Sequence, residues 1–410
     1  MISDVYFPRV NGVSTSIRTF RGELEKRGHG VSLIAPDYPP YRDQDEQVVR
    51  VPARTLPLDP EDRLMSGKFI RKLESFLRER EFDLIHIQTP FAAHHAGIAL
   101  ARRLGLPVVE TYHTFFEEYL YHYIPFLPKS LLRLAARRLS SHQCNRLDAM
   151  VVPSRAMLEA LRHYGITTPA EIIPTGIDLD AFATGNGAAF RQRYRIPAER
   201  PLLLFVGRVA FEKNIGFLLD AMVRIKAELP QALLVIAGEG PALGRLQRRA
   251  AALGLDGNVQ FIGYLRKGEQ LRDCYRAADA FVFASRTETQ GLVLLEAMAL
   301  GVPVVALAEM GTCDILGPGK GALVARDDPA DFAAQSLRLL RDAGLRRRLG
   351  EEGREFVRLW TAGAMAERML EFYQGAVARK EGRPCAEKAY AAPAGAGCEP
   401  AEGSRAVTLS

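Results

Sequence analysis

With 410 residues, the chain is long enough for two domains at about 150 residues each. Hydrophobic residues make up 48% and charged residues 25%, ordinary for a soluble globular protein, and no apolar run approaches the roughly 20 residues of a helical membrane span. A net charge of +6 without a recognisable nucleic-acid module argues against a nucleic-acid binder.

The beginning is unusual. A Rossmann-like first strand holds about five or six apolar residues, yet only Met1-Ile2 precede Ser3-Asp4-Val5-Tyr6-Phe7-Pro8. The expectation is a natural start upstream of Met1. Strand-like runs then fall at 31–35, 84–87, 108–111 and 150–152, with helical patterns such as 16–26 and 71–78 between them. Ile173 to Asp180, followed by the Gly-rich 183–188, reads as a junction. Beyond it the alternation resumes, with strands at 202–206, 233–237, 259–262, 280–283 and 304–306. Helices are expected at 215–226, 271–277 and 292–300. Two rounds of strand–helix alternation predict an α/β protein of two Rossmann-like domains, 1–178 and 179–355. A helix near 351–376 carries the single tryptophan, Trp360, and a tail from about 379 to 410 has no apolar period and is expected to be disordered. The five cysteines (Cys144, Cys274, Cys313, Cys385, Cys398) are scattered and lack metal spacing. With no secretory signal, they fit reduced thiols in a cytoplasm.

The richest stretch is Ser285-Arg286-Thr287-Glu288-Thr289-Gln290-Gly291, leading into a helix from Leu292 that Gly301 and Pro303 stop. Glu288 lies in the loop and Glu296 one turn inside the helix, seven residues apart. Two acceptor-only carboxylates near the positive end of one helix suit a ligand rich in hydroxyls, such as a sugar at one end and a ribose at the other. Gly207-Arg208, with Lys213-Asn214 at the next helix start, carries cations where the helix is already positive. An anion held by Arg208 and Lys213 resolves the conflict, and the pair reads as a diphosphate clamp.

Weaker signals surround these. Gly12, after Asn11, opens the first helix and lets backbone approach a phosphate or sugar, although a plain tight turn explains it equally. Met310-Gly311-Thr312 follows a strand in the same way. His113 comes directly after a strand, at the edge where open α/β sheets place ligands, whereas His86, His94 and His95 read as satisfied or solvated. Asp178 and Asp180 sit in the junction and are read as structural, with no metal expected. Gly238-Glu239-Gly240 lacks the later glycine spacing and the acidic partner of a dinucleotide fingerprint, so it reads as a tight turn.

The set Gly207-Arg208…Lys213-Asn214, Glu288…Glu296 and Gly301-Val302-Pro303-Val304-Val305 resembles the retaining glycosyltransferases of family 4, from Met1 to about residue 378. The resemblance implies the GT-B fold, two Rossmann-like domains facing a cleft, and a crossover helix at 356–378 returning to the first domain. It implies that Glu296 binds ribose hydroxyls and that Arg208 and Lys213 bind the diphosphate. Glu288, Gly291 and Leu292 then border the sugar nucleotide, Gly12 lies near the phosphates, and His113 lies near the sugar and the acceptor hydroxyl. It also implies retention by same-face attack, with no cofactor and no metal. The form Thr287-Glu288-Thr289-Gln290-Gly291, with Gln290 where the family often has an aromatic, looks like the branch that glycosylates diacylglycerol and related lipids. Asp4-Val5-Tyr6-Phe7-Pro8…Asn11-Gly12-Val13 and Thr111-Tyr112-His113-Thr114-Phe115-Phe116-Glu117-Glu118-Tyr119 are similar to the same branch.

Residues 119–147 hold no Asp or Glu but carry Lys129, Arg133, Arg137, Arg138 and Arg146 among Tyr and Leu side chains. This segment is expected to meet an anionic membrane surface, the alternative being an ordinary amphipathic helix packed on the first domain. The expected protein is therefore a cytoplasmic hexosyltransferase, peripheral on the inner face of the membrane, acting from a nucleotide sugar onto a lipid hydroxyl. Its rivals are the same chemistry onto a soluble or cell-envelope saccharide, a nucleotide-sugar epimerase on the same plan, and a non-enzymatic nucleotide binder. Neither Tyr264 nor Arg266 distinguishes the donor base.

Overall fold

The computed structural model describes residues 1–56, 59–113, 129–265 and 268–383, with side chains described except at 56, 59–62, 71 and 129–133. The expected disordered tail beyond Arg383, Arg266, and the aromatic segment from Thr114 to Pro128 lie outside the described residues, while residues 379 and 380, expected in that tail, end a helix. The chain divides into two compact units, one formed by Met1–Gly176 with the segment from Ala362 onward, the other by Ile177–Thr361.

The strands in order are β1 Leu33–Pro36, β2 Val48–Val51, β3 Ala53–Leu56, β4 Asp59–Met65, β5 Ile85–Ile87, β6 Val108–Thr111, β7 Ala149–Val152 and β8 Ala170–Ile172 in the first unit. The second unit holds β9 Leu202–Val206, β10 Leu233–Ala237, β11 Val259–Gly263, β12 Ala280–Phe283, β13 Val304–Leu307 and β14 Ala322–Ala325. The helices that matter below are α1 Gly12–Lys26, α2 Ala92–Leu104, α3 Lys129–Cys144, α4 Arg155–His163, α5 Ile215–Glu228, α6 Glu269–Ala277, α7 Leu292–Ala299, α8 Ala343–Phe356 and α9 Ala362–Lys380.

In the first unit β1 and β2 pair in parallel, as do β5 through β8 in sequence order. Ile2 bridges both Ile34 and Ile87, so the short apolar start does the work of a first strand at a single residue. Beside that bridge, the buried Asp4 carboxylate accepts from Thr89 Oγ1 (2.8 Å) and from the Ala93 amide at the start of α2 (3.0 Å). β3 and β4 form an antiparallel hairpin that the sequence pattern does not announce. The expected helix at 71–78 is instead two short helices, Gly67–Lys72 and Glu74–Glu79.

A single helix near 351–376 is also corrected. α8 ends at Phe356, a 3-10 turn covers Val357–Trp360, and Thr361 is extended. The break follows from pairing: Ile177 N donates to Trp360 O (2.8 Å) and Ile177 bridges Thr361, which pulls the backbone out of helix. Trp360 therefore lies in the core of the second unit, 6.2 Å from the Phe356 ring, and not on the returning helix. That helix is α9, with bounds Ala362–Lys380 in place of 356–378. It buries Met365, Ala366, Met369, Phe372 and Ala376, one stripe at helical spacing, against Phe20, Val109 and Val151 of the first unit. Each such large side chain contributes about 1.5–3 kcal/mol. Tyr373 hydrogen-bonds His86 Nδ1 from the same helix, while His86 Nε2 meets Thr111 Oγ1 (2.7 Å). His86 is thus a satisfied core histidine.

The second unit is one parallel sheet ordered β11-β10-β9-β12-β13-β14. Its central strands are continuous apolar runs because helices cover both faces. Phe205 and Phe283 stack at 6.1 Å, and Phe217 meets Phe332 edge-on at 5.5 Å.

Candidate active site

Numbered within the second unit, the strand order is 3-2-1-4-5-6, and the direction of winding reverses between β9 and β12. In such sheets the connections on either side of the reversal diverge beyond the carboxyl ends of the strands and leave a crevice for ligand. The loop after β9 carries Arg208 and Lys213, and the loop after β12 carries Glu288. The two strongest sequence motifs therefore flank one topological switch point.

The geometry holds them there. Lys213 lies in the 3-10 turn Phe211–Lys213, separated from α5 by Asn214, a left-handed residue at φ 53°. Asn214 Nδ2 donates to Ala284 O (3.1 Å), and Ser285 Oγ donates to Glu212 O (3.2 Å), so the two loops are tied across the switch point. Lys213 Nζ donates to Glu288 Oε2 at 2.6 Å, with the two side chains 22% and 19% exposed. That exposure is too low for a solvated surface pair and high enough for a ligand to reach both. The expected cation at a helix start is thus one residue further out, and a carboxylate already answers its charge.

Backbone packing fixes the rest. Val209 N donates to Glu239 O (2.8 Å), and Ala242 N to Val209 O (3.0 Å). A Cβ on Gly238 would stand 1.9 Å from Gly207 O, and one on Gly240 2.5 Å from Val209 O. The glycine pair that imitates a dinucleotide fingerprint is therefore a seat for the Arg208 loop. Arg208 itself is exposed. On the other side, Gly311 N donates to Glu288 O (2.8 Å), and a Cβ on Gly311 would meet Thr289 O at 1.9 Å. Gly291, at φ 97°, caps α7 ahead of the half-buried Leu292. Glu296 sits further along α7, half-buried, and its Oε2 accepts from the Tyr275 hydroxyl at 2.7 Å.

The other expected site residues belong to the first unit. Gly12 is exposed at the start of α1, with nothing within 4 Å of where a Cβ would stand, and Asn11 Oδ1 caps the helix by accepting from Ser14 N (2.8 Å). His113 follows β6, and its Nε2 meets Gln88 Oε1 at 3.0 Å. With the Gln88 amide oxygen facing the ring, Nε2 carries the proton and Nδ1 presents a lone pair. Burial pushes the imidazole down to about 4, so it is neutral at physiological pH. A histidine depressed below its ordinary 6.5 binds fewer protons folded than unfolded, so its contribution is complete above pH 6.5 and is lost as pH falls toward 4. His113→Gln is expected to remove about 2 kcal/mol from the stability difference between pH 7 and pH 5. Denaturant unfolding of both proteins at the two pH values checks this.

The family model described as glycosyltransferase family 4 matches residues 10–181, and that described as glycosyl transferases group 1 matches 187–356. The alpha-monoglucosyldiacylglycerol synthase of Streptococcus pneumoniae is 35% identical over 315 residues, 75% of this chain and 70% of that protein. The chain belongs to glycosyltransferase family 4. A GDP-mannose-dependent alpha-mannosyltransferase of Mycobacterium tuberculosis is 31% identical over 79% of this chain and 82% of its own length. Among solved structures, sucrose-phosphate synthase from Thermosynechococcus elongatus matches with a TM-score of 0.74 at 22% identity, over 92% of this chain and 99% of that one. This family 4 enzyme is a hexosyltransferase with the GT-B fold, near the diacylglycerol glycosyltransferases.

Within the family 4 enzyme, Asp178 is structural: its Oδ1 accepts from Ala181 N at 3.1 Å. Among the described residues no three His, Cys, Asp or Glu side chains gather as metal ligands. Sequence reading missed Tyr275, which presents itself only as a core aromatic on an amphipathic helix, and Gln88, whose only cue is its position just after a strand.

Proposed function

We propose that the chain moves a hexose from a nucleotide diphosphate sugar to the hydroxyl of a membrane lipid of the diacylglycerol type, with retention. The observation that carries the reading is the Lys213–Glu288 pair at the switch point of the second unit, because a cation and a polyol acceptor stand side by side there. Lys213, with Arg208, neutralises the charge that grows on the departing diphosphate, and a preorganised donor does this without reorganisation. Glu288 takes the hydroxyls of the transferred sugar, and Glu296 takes those of the ribose. The neutral His113 offers Nδ1 to a sugar or acceptor hydroxyl. The reading assigns the diphosphate to these two cations and invokes no metal and no cofactor.

A lipid acceptor is supported by the name of the pneumococcal relative and by a basic surface on the first unit. A pocket of about 630 Å³ on α3 and α4 is lined by Leu134, Arg137, Arg138, His142, Arg146 and Tyr164, among others, with no carboxylate. Leu134 and Leu139 stand 46% and 42% exposed beside these charges. Cations with exposed leucines suit an anionic interface, at about 1 kcal/mol per charge. Among the described residues no helix is long and apolar enough to cross a bilayer; the reading is of a protein that visits the membrane surface from the cytoplasmic side.

The test is a transfer assay with UDP- and GDP-hexoses and diacylglycerol presented in anionic or neutral vesicles. The expected result is a glycolipid product with one donor, formed faster on anionic vesicles and accompanied by co-sedimentation of the protein. Transfer to a soluble saccharide but not to the lipid would overturn the acceptor while leaving the donor chemistry intact.

A further inference from the structure

Tyr275 lies on α6, a helix the proposed chemistry does not otherwise use. It is wholly buried, and its ring packs 5.6 Å from Phe281. A phenylalanine would fill that apolar slot equally well, so the hydroxyl asks for its own explanation. It donates to Glu296 Oε2 at 2.7 Å. The next residue, Arg276, donates to Leu300 O at 2.9 Å, at the carboxyl end of α7. Two successive side chains of α6 thus grip α7, one at its end and one at its functional carboxylate.

A carboxylate half-way along a helix surface has several rotamers within reach, and a ligand that needs one of them must select it. A buried donor on one oxygen removes that choice in advance. Burial and the adjacent Glu296 carboxylate both push the phenol well above its ordinary range, so it remains a donor at every pH at which the protein works. The bond is charge-assisted and its donor side is buried, which strengthens the hold of one hydrogen bond on the carboxylate.

We propose that Tyr275 is a positioning residue for the sugar nucleotide: its buried hydroxyl fixes the Glu296 carboxylate in the orientation that receives the ribose hydroxyls. The proposal rests on the ribose role given to Glu296 above. It makes affinity for the nucleoside part depend on a residue that touches no ligand. Because the ribose is remote from the reacting carbon, losing the hydroxyl weakens binding in ground and transition states alike, which raises KM and spares kcat.

The experiment compares wild type, Tyr275→Phe and Glu296→Gln, each titrated calorimetrically with UDP or GDP, whichever the wild type binds, and with its 2′,3′-dideoxy analogue. The expected result for Tyr275→Phe is about 5–30-fold weaker binding of the ribonucleotide, unchanged binding of the dideoxy analogue, and a donor KM raised with kcat within about twofold. Equal losses for both ligands would mean that Tyr275 serves packing alone, and no loss for either would mean that it positions nothing; each overturns the proposal. Glu296→Gln separates the layers. If it loses ribose discrimination while Tyr275→Phe keeps it, the positioning role falls and the ribose role stands. If Glu296→Gln binds both ligands like wild type, the ribose role falls first and takes the proposal with it.

Discussion

Lys213→Ala is expected to lower turnover by roughly 10²–10³-fold, the magnitude of one lost donor to a developing anion. Arg208→Ala is expected to follow it in direction and scale. The glycosyl diphosphate gains negative charge as its bond to the anomeric carbon breaks, so a cation fixed beside the phosphates matters more in the transition state than in the ground state. Lys213 is fixed: the 3-10 turn and the left-handed Asn214 set its backbone, and the Asn214–Ala284 and Ser285–Glu212 bonds anchor that turn to the loop after β12. The fold should survive the substitution, because the ammonium contributes to no apolar core and Glu288 retains access to water. Steady-state kinetics over a range of donor concentrations makes the check. Near-normal kcat/KM in either variant would remove the clamp, and a rise in KM at constant kcat would reduce it to ground-state binding.

The parts of this fold that could be read from residues are those that bury both faces. Leu202–Val206, Leu233–Ala237 and Ala280–Phe283 are uninterrupted apolar runs, and each is a central strand with its predicted bounds. The strands that escaped notice are β2, β8 and β14, all at sheet edges, together with the β3–β4 hairpin. β2 and β8 mix polar with apolar residues over three or four positions and do not stand out from loop, whereas β14 is apolar throughout but only four residues long. The helix error at 351–376 has a different origin. Helical periodicity continues through Trp360, and only the long-range pairing of Ile177 with Trp360 and Thr361 interrupts it.

For the site, Glu288, Glu296, Arg208 and Lys213 stand out as candidates because charged side chains occur where apolar ones or none are expected. What joins them was not visible. Strand order makes Lys213 and Glu288 neighbours across 75 residues, and no local pattern encodes that order. The same holds for Gly238, Gly240 and Gly311, whose missing side chains leave room for the backbone of a distant loop. Tyr275, in the positioning role proposed for it, is the extreme case, since a residue that acts through another has no motif of its own.

Glu288→Gln is expected to behave unlike either cation variant, and the difference follows from the 2.6 Å bond to Lys213. On the proposed reading two acceptors compete for one ammonium, the Glu288 carboxylate and the diphosphate of the donor. Converting the carboxylate to an amide keeps the shape and weakens the competitor, and it also removes a negative charge from the neighbourhood of an anionic ligand. Affinity for the nucleoside diphosphate without its sugar is therefore expected to rise by about 2–5-fold, a modest gain because both side chains retain some contact with water. Turnover is expected to move the other way, falling roughly 10–100-fold, since an amide makes weaker bonds to sugar hydroxyls than a carboxylate does. Calorimetric titration with UDP or GDP and a transfer assay on the same preparation read the two effects separately. Opposite signs identify Glu288 as a group that holds the sugar and restrains the clamp. Weaker binding of the bare nucleoside diphosphate would mean that the carboxylate orients Lys213 toward the phosphates instead of competing with them.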